Sequence, residues 1–238
     1  MPAFRQIFDR GIKMSNSNAQ AIAIAEFVLA QVLAEWHPIV RQRAAQKSHE
    51  WKRIGFREIS QTSWLIVGYG NIGREIARRA KAFGARVVGV RRKIGADEFA
   101  DEIRTLGELP LLLPSADIVV LSCAMNEETR NIAGGAFFSR MKHASFLVNI
   151  GRGGLVDEEA LIASLAIDKP RLAILDVFQQ EPLAQDSPFW QHPKVRVTAH
   201  TSAATSATVA RGDKLFLDNL QRFARHEPLI NEVTSHSF

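Results

Sequence analysis

Three short segments of this 238-residue chain carry side chains that could do acid–base and electrostatic chemistry together. Arg152 stands in the run Val148-Asn149-Ile150-Gly151-Arg152-Gly153-Gly154, Glu181 in Asp176-Val177-Phe178-Gln179-Gln180-Glu181-Pro182, and His200 in Thr198-Ala199-His200-Thr201-Ser202. A guanidinium presents paired N–H donors to a carboxylate or a developing oxyanion. A histidine can give or take a proton near neutral pH, and a carboxylate beside it favours its charged form and orients its ring. Singly, each residue has an ordinary structural reading: a satisfied loop histidine, a turn glutamate before proline, a surface arginine. As a set they predict a catalytic group, provided the fold brings them to one crevice.

The elements that would do so are legible in the hydrophobic pattern. Short apolar runs without strict alternation at 63–67, 86–90, 117–121, 145–150, 171–175 and 194–198 read as strands buried on both faces of a parallel sheet. Between them, 72–83, a short piece near 105–112, and 158–165 read as helices, the last with Asp157 as N-cap and Glu158 and Glu159 in its first turn. This alternation predicts an α/β fold with a doubly wound parallel sheet, in which ligands lie beyond the carboxyl ends of the strands. All three reactive segments follow predicted strands. Gly68-Tyr69-Gly70-Asn71-Ile72-Gly73 also follows a strand and opens a helix, the context a dinucleotide-binding turn requires. In that pattern Gly68 permits the tight turn, Gly70 the approach of a pyrophosphate, and Gly73 close helix–strand packing. The second strand ends in Val90-Arg91-Arg92-Lys93, with no carboxylate before Asp97. An acid there would hold an unmodified ribose and repel a 2′-phosphate, whereas an arginine can fork onto the phosphate. Arg91 and Arg92 therefore predict a preference for NADP, with NAD possible.

Two flanking helices stand outside the alternation. Residues 18–35 carry two adjacent apolar stripes (Ala21, Ala25, Val28, Val32; Ile22, Leu29, Leu33), wide enough to predict an inter-domain or dimer contact. Residues 205–225 carry a narrower one: Val209, Leu215, Phe216, Leu220 and Phe223. The polar stretch 42–57 reads as a connection. Composition excludes disorder and a disulfide scaffold: 46% of residues are hydrophobic, 23% are charged, and Cys123 is the single cysteine. No run of about 18 apolar residues suggests a membrane span, and the charged first ten residues do not resemble a secretory signal, so a cytoplasmic protein is expected. No metal-binding or serine-hydrolase motif is present. The net charge of +5 conceals an asymmetry: residues 41–93 hold 14 Lys/Arg against 3 Asp/Glu. Without a recognised nucleic-acid motif, this excess is read as cofactor-phosphate binding plus solvated surface, with no nucleic-acid or membrane partner.

The glycine loop, residues 126–132 (Asn-Glu-Glu-Thr-Arg-Asn-Ile), the run 147–161 and the run 176–183 together resemble the D-isomer-specific 2-hydroxyacid dehydrogenase family over nearly the whole chain. The resemblance implies a Rossmann domain and hydride transfer between a nicotinamide and C2 of a 2-keto or 2-hydroxy acid, of the glyoxylate/hydroxypyruvate reductase or phosphoglycerate dehydrogenase type. It implies that Arg152, Glu181 and His200 are the catalytic set. Asn71 and Ile72 would lie over the pyrophosphate, Ile150 and Asp176 at the nicotinamide end. It also implies a domain order: 1–17 as a remnant of a substrate lobe, 18–57 as inter-domain or dimer helix and connection, 58–200 as the cofactor domain, 201–238 as a helix returning to an incomplete second lobe. Because most of that lobe is missing, turnover by these residues alone is expected to be weak or absent. A homodimer is expected. Ala199, where proline is common, and Ala124-Met125, where Pro-Leu is common, depart from the family pattern and bear on loop geometry. A non-catalytic NAD(P)-binding regulator is the alternative the same residues allow.

Overall fold

Runs such as Trp64-Leu65-Ile66-Val67 and Ile118-Val119-Val120-Leu121, apolar at every position and rich in β-branched residues, suit a sheet covered on both sides, and the chain builds one. The structure is a computed structural model and describes residues 8–233. In chain order its elements are β1 (Met14–Ser15), α1 (Ala21–Trp36), α2 (Ile39–Lys47), β2 (Ser63–Val67), α3 (Asn71–Ala82), β3 (Arg86–Val90), β4 (Glu102–Arg104), α4 (Leu109–Leu112), β5 (Ile118–Leu121), α5 (Gly135–Arg140), β6 (Phe146–Asn149), α6 (Glu158–Leu165), β7 (Leu172–Leu175), β8 (Val195–Val197), α7 (Ser206–Ala224) and β9 (Glu232–Val233), with short 3₁₀ turns between. Two compact units result: residues 24–202, and residues up to 23 together with those from 203 onward.

In the larger unit seven parallel strands run in the order β4-β3-β2-β5-β6-β7-β8, a Rossmann sheet. The order reverses between β2 and β5, which places the switch-point crevice at the end of β2. Every residue of β5 and β6 is fully buried, as the unalternating apolar runs require. All six expected strands form, within a residue or two at their ends; the short edge strand β4, with two charged residues of three, is an addition. The stretch from residue 42 is not a plain connection, because α2 occupies Ile39–Lys47 and Ala45 supplies its one buried residue. Its polar composition hid a helix that packs little. Ala25, Val28 and Val32 of α1 are fully buried, and Trp36 meets Phe146 edge-on at 5.1 Å.

In the smaller unit, described by itself, β1 and β9 form an antiparallel pair and Asn219 ties them to α7: its side chain donates to Ser15 Oγ and Ile230 O and accepts from Ile230 N–H. The expected apolar stripe of α7 stands out to solvent, with Val209, Phe216, Leu220 and Phe223 each more than half exposed. The expectation for residues 1–7 lies outside the described residues. No single described helix is long and apolar enough to cross a membrane.

The amino ends of the strands are held by one carboxylate. Asp117, just before β5, accepts from Arg57 Nη1 at 2.9 Å, Lys142 Nζ at 2.6 Å and the Ser63 N–H at 2.9 Å. Burial alone would raise its pKa; the bonds from Arg57, Lys142 and Ser63 outweigh that and hold it below the usual aspartate range. A depressed folded-state pKa contributes stability above the unfolded value, near 3.9, and loses it as pH falls through the folded value. Asp117→Asn is expected to cost about 1–3 kcal/mol at pH 7, the half-exposed cations limiting the figure. Melting curves of variant and parent should converge as the pH is taken below about 4.

Candidate active site

The first component is a cradle at the end of β2. Gly68 adopts φ +100°, and a Cβ there would lie 2.2 Å from the Cys123 backbone nitrogen at the end of β5. The turn therefore leads directly into α3, whose N-cap is Gly70. Among the described residues, the N–H groups of Asn71, Ile72 and Gly73 have no acceptor in the protein. Three unfilled donors at the positive end of a helix fit a pyrophosphate. A Cβ at Gly73 would meet Gly68 O at 2.5 Å and the Ile66 side chain at 3.0 Å, the close packing expected of that position. Cys123 packs, partly buried, against the core, and burial pushes its thiol up to about 11.

Beyond β3, Arg91 donates from Nε to Lys93 O at 2.9 Å and from Nη2 to Gly95 O at 3.3 Å, while Arg92 and Lys93 are exposed. The basic excess resolves further. Arg57, Arg74, Arg78, Arg79, Lys81 and Arg86 each pair with a carboxylate. Among the described residues, neither Arg91, Arg92 and Lys93 nor the five cations between Arg41 and Arg53 do so.

The reactive groups follow β6, β7 and β8, three neighbouring strands. Asn149, fully buried at the end of β6, shapes the first turn: its amide accepts from Gly151 N–H and donates to Arg152 O. The Arg152 side chain is then sent outward and donates to Gly151 O at 2.7 Å. Ile150 is buried, its N–H on Leu121 O. After β7, Glu181 accepts from the Phe178 N–H at 3.0 Å through Oε1, and its Oε2 lies 2.8 Å from His200 Nδ1. Burial would raise the pKa of Glu181, but the bonds from His200 and Phe178 overcome this and hold it below the usual carboxylate range. Among the described residues, Nε2 of His200, the other ring nitrogen, has no hydrogen-bond partner.

Asp176 is completely buried, and its carboxylate and carbonyl are directed at the His200 loop. Its Oδ1 accepts from Thr198 Oγ1 and Thr201 N–H, its Oδ2 from Ser202 N–H, and its carbonyl from His200 N–H. These bonds hold His200 at φ +52°, a left-handed conformation that costs a non-glycine residue on the order of 1 kcal/mol and that the surroundings must impose. The structure thus brings Glu181 and His200 into contact, sets Arg152 on the adjoining strand end, and places the glycine loop and Arg91 at the far side of the switch point. Sequence reading missed Asn149 as the organiser of the Arg152 turn and the part Asp176 plays in the His200 loop. Asn149 stood inside a quoted run, but an asparagine bonded to its own turn has no spacing signature. Among the described residues no group of three or more His, Cys, Asp or Glu could hold a metal.

Comparison with known proteins agrees with this geometry. The family described as D-isomer specific 2-hydroxyacid dehydrogenase, NAD binding domain, matches residues 29–202. The chain is 31% identical over 230 residues to the D-3-phosphoglycerate dehydrogenase of Methanocaldococcus jannaschii, covering 94% of this chain and 44% of that protein. It is 37% identical over 204 residues to glyoxylate/hydroxypyruvate reductase B of Klebsiella pneumoniae strain 342, covering 83% of this chain and 63% of the relative. It therefore spans about half of these relatives' length. Among solved structures, the NADPH-dependent glyoxylate/hydroxypyruvate reductase of Sinorhizobium meliloti, in complex with NADP and sulfate, superposes with a TM-score of 0.84 at 27% identity, covering 95% of this chain and 73% of that one. A D-isomer specific 2-hydroxyacid dehydrogenase from Xanthobacter autotrophicus Py2, in complex with NADPH and MES, gives 0.83 at 27% identity, covering 95% and 94%. On the match of its sheet, glycine loop and strand-end segments, this chain belongs to the D-isomer-specific 2-hydroxyacid dehydrogenase family.

Proposed function

We propose that this chain carries the catalytic and cofactor machinery for interconverting a 2-keto acid and its 2-hydroxy acid, with glyoxylate or hydroxypyruvate as the first substrates to try and NADP(H) as the preferred cofactor. The observation that carries the reading is the 2.8 Å contact of Glu181 with His200 on the strand end next to that of Arg152. A bound nicotinamide dinucleotide supplies the hydride. Arg152 holds the substrate carboxylate and polarises the keto oxygen with its paired N–H groups. His200, through Nε2, gives its proton to that oxygen in reduction and takes one from the hydroxyl in oxidation. Glu181 anchors Nδ1 and so fixes the ring and its tautomer, and Asp176 positions the loop beneath it. The free N–H groups at the start of α3 would hold the pyrophosphate, and Ile150 would border the nicotinamide. A homodimer working in a reducing, cytoplasmic setting suits the half-buried Leu33 and Phe27 of α1 and the single cysteine. Residues 201–238 would be the part returning to a substrate lobe.

NADPH consumption with glyoxylate, hydroxypyruvate and other 2-keto acids tests the reading: a rate that requires His200, however small, supports it. If cofactor binds but no keto acid gives a His200-dependent rate, the chain is a binding protein. The cofactor preference is tested separately. Arg91→Asp replaces a fork for the 2′-phosphate with a repelling charge and is expected to lower NADPH affinity relative to NADH by about tenfold or more; an unchanged ratio rules Arg91 out.

A further inference from the structure

The turn after β3 holds three cations, Arg91, Arg92 and Lys93, followed by two carboxylates, Asp97 and Glu98. Acids so close in sequence could pair with those arginines or repel a phosphate brought to them; among the described residues, neither acid pairs with Arg91, Arg92 or Lys93. Asp97 turns inward with its side chain 11% exposed. Its Oδ1 accepts from Tyr69 Oη at 2.9 Å and Phe99 N–H at 3.0 Å, and its Oδ2 from Arg74 Nε at 2.9 Å. The same guanidinium reaches Glu98 Oε1 at 2.5 Å through Nη2 and lies over the Phe99 ring at 4.6 Å. One arginine of α3, in the first turn of the phosphate-facing helix, thereby engages both acids of the specificity loop. Burial would raise the pKa of Asp97, yet the bonds from Phe99, Arg74 and Tyr69 keep it below the ordinary aspartate range, as expected of a carboxylate fully paired inside the protein.

Tyr69 is built into the arrangement. Its ring is buried across Gly89 of β3, where a Cβ would fall 2.3 Å from a ring carbon, so the strand must be bare at that point for the hydroxyl to reach Asp97. Arg91 lies on the other side, its guanidinium 5.8 Å from the Tyr69 ring centre and anchored by the carbonyls of Lys93 and Gly95. Three of its five N–H groups are uncommitted.

We propose that Arg74, with Tyr69, is a selectivity device: by holding Asp97 inside the protein and pairing with the exposed Glu98 it leaves Arg91, Arg92 and Lys93 as a cationic group without a carboxylate partner, which accepts a ribose 2′-phosphate. Arg74 is a positioning residue here and acts through the two acids. The inference rests on the NADP preference proposed above. It adds that the preference depends on where the acids of the loop are held as well as on the presence of arginines.

Calorimetric titration with adenosine 2′,5′-bisphosphate and with 5′-AMP tests this without turnover, and the ratio of the two affinities cancels any general effect of Arg74 on the 5′-phosphate. The parent protein should favour the bisphosphate by more than tenfold. Arg74→Gln should reduce that ratio about tenfold, since released carboxylates face the 2′-phosphate, and adding Asp97→Asn and Glu98→Gln to the same chain should restore it. Tyr69→Phe, which keeps the buried ring and removes one bond to Asp97, should move the ratio the same way by less. A structural role alone would give equal losses for both ligands and no rescue on removing the acids; either result overturns the proposal. A parent protein that does not discriminate overturns the NADP reading and this inference together, and that is read before any variant is made.

Discussion

His200→Asn is expected to lower kcat for 2-keto acid reduction by about 10²–10⁴-fold, the usual worth of a positioned general acid, while leaving dinucleotide binding in place. The side chain has room to be replaced: it is half exposed, and among the described residues its single bond is the one to Glu181. Asparagine can keep a contact with that carboxylate but cannot deliver a proton through a second ring nitrogen. Glu181→Gln should give a smaller loss, because a neutral amide still reaches Nδ1 but stabilises the protonated ring less. The pH dependence separates the two residues. Since Glu181 is held below the ordinary glutamate range, its carboxylate stays ionised until the pH drops below about 4.3. Any loss of activity between pH 5 and 8 therefore does not come from Glu181. Steady-state rates with NADPH and glyoxylate across that range decide the matter; a variant as fast as its parent would remove His200 from the chemistry.

The sheet and its helices were readable because they answer to a single cause. Strands buried on both faces need continuous apolar residues, and 118–121 or 146–149 could hardly serve elsewhere; Asp157 caps α6 through the Ala160 N–H as its position suggested. What escaped was weakly coded. Ile39–Lys47 is a helix with Ala45 as its one buried residue, so periodicity carried little signal, and the edge strand β4 has three residues, two of them charged. The apolar stripe of α7 was legible as a stripe, yet burial depends on a neighbour, which no helix specifies by itself. At the site, Arg152, Glu181, His200 and the glycines were marked by residue type and by their place after strands. Residues that work through others, such as Asn149, Asp176 and the Arg74–Asp97–Tyr69 group, are joined by contacts between 2 and 28 positions apart, with no fixed spacing. Arg91 was marked by its position, but the carbonyls that anchor it were visible only in the folded loop.

Gly153→Ala should be the most destabilising single-methyl change in the larger unit. A Cβ at this buried position would lie 1.8 Å from the carbonyl carbon of Phe178, 1.9 Å from its oxygen and 2.4 Å from the Gln179 nitrogen. All three are backbone atoms, so no side-chain rotation relieves the clash. Phe178 is itself buried against Phe189, with ring centres 5.9 Å apart, and Gln179 is tied by its N–H to Glu158 and by its side chain to Val156 O. The segment cannot retreat without breaking those contacts, and the expected cost is about 3 kcal/mol or more. For a domain of this size that corresponds to a fall in Tm of roughly 6–12 °C. Gly135→Ala is the matching control, at an exposed position in the first turn of α5 where a Cβ meets nothing within 4 Å; it should be neutral or stabilising by about 0.4–1 kcal/mol. The contact also bears on function, because Gly153 follows Arg152 and Phe178 precedes Glu181 by three residues. Wedging the two strand ends apart moves Arg152 away from Glu181 and His200. In protein that remains folded at low temperature, Gly153→Ala should therefore lose keto-acid turnover while the α3 cradle still binds dinucleotide. A variant that melts with its parent would show that the two backbones are farther apart than the packing of Gly153 on Phe178 requires.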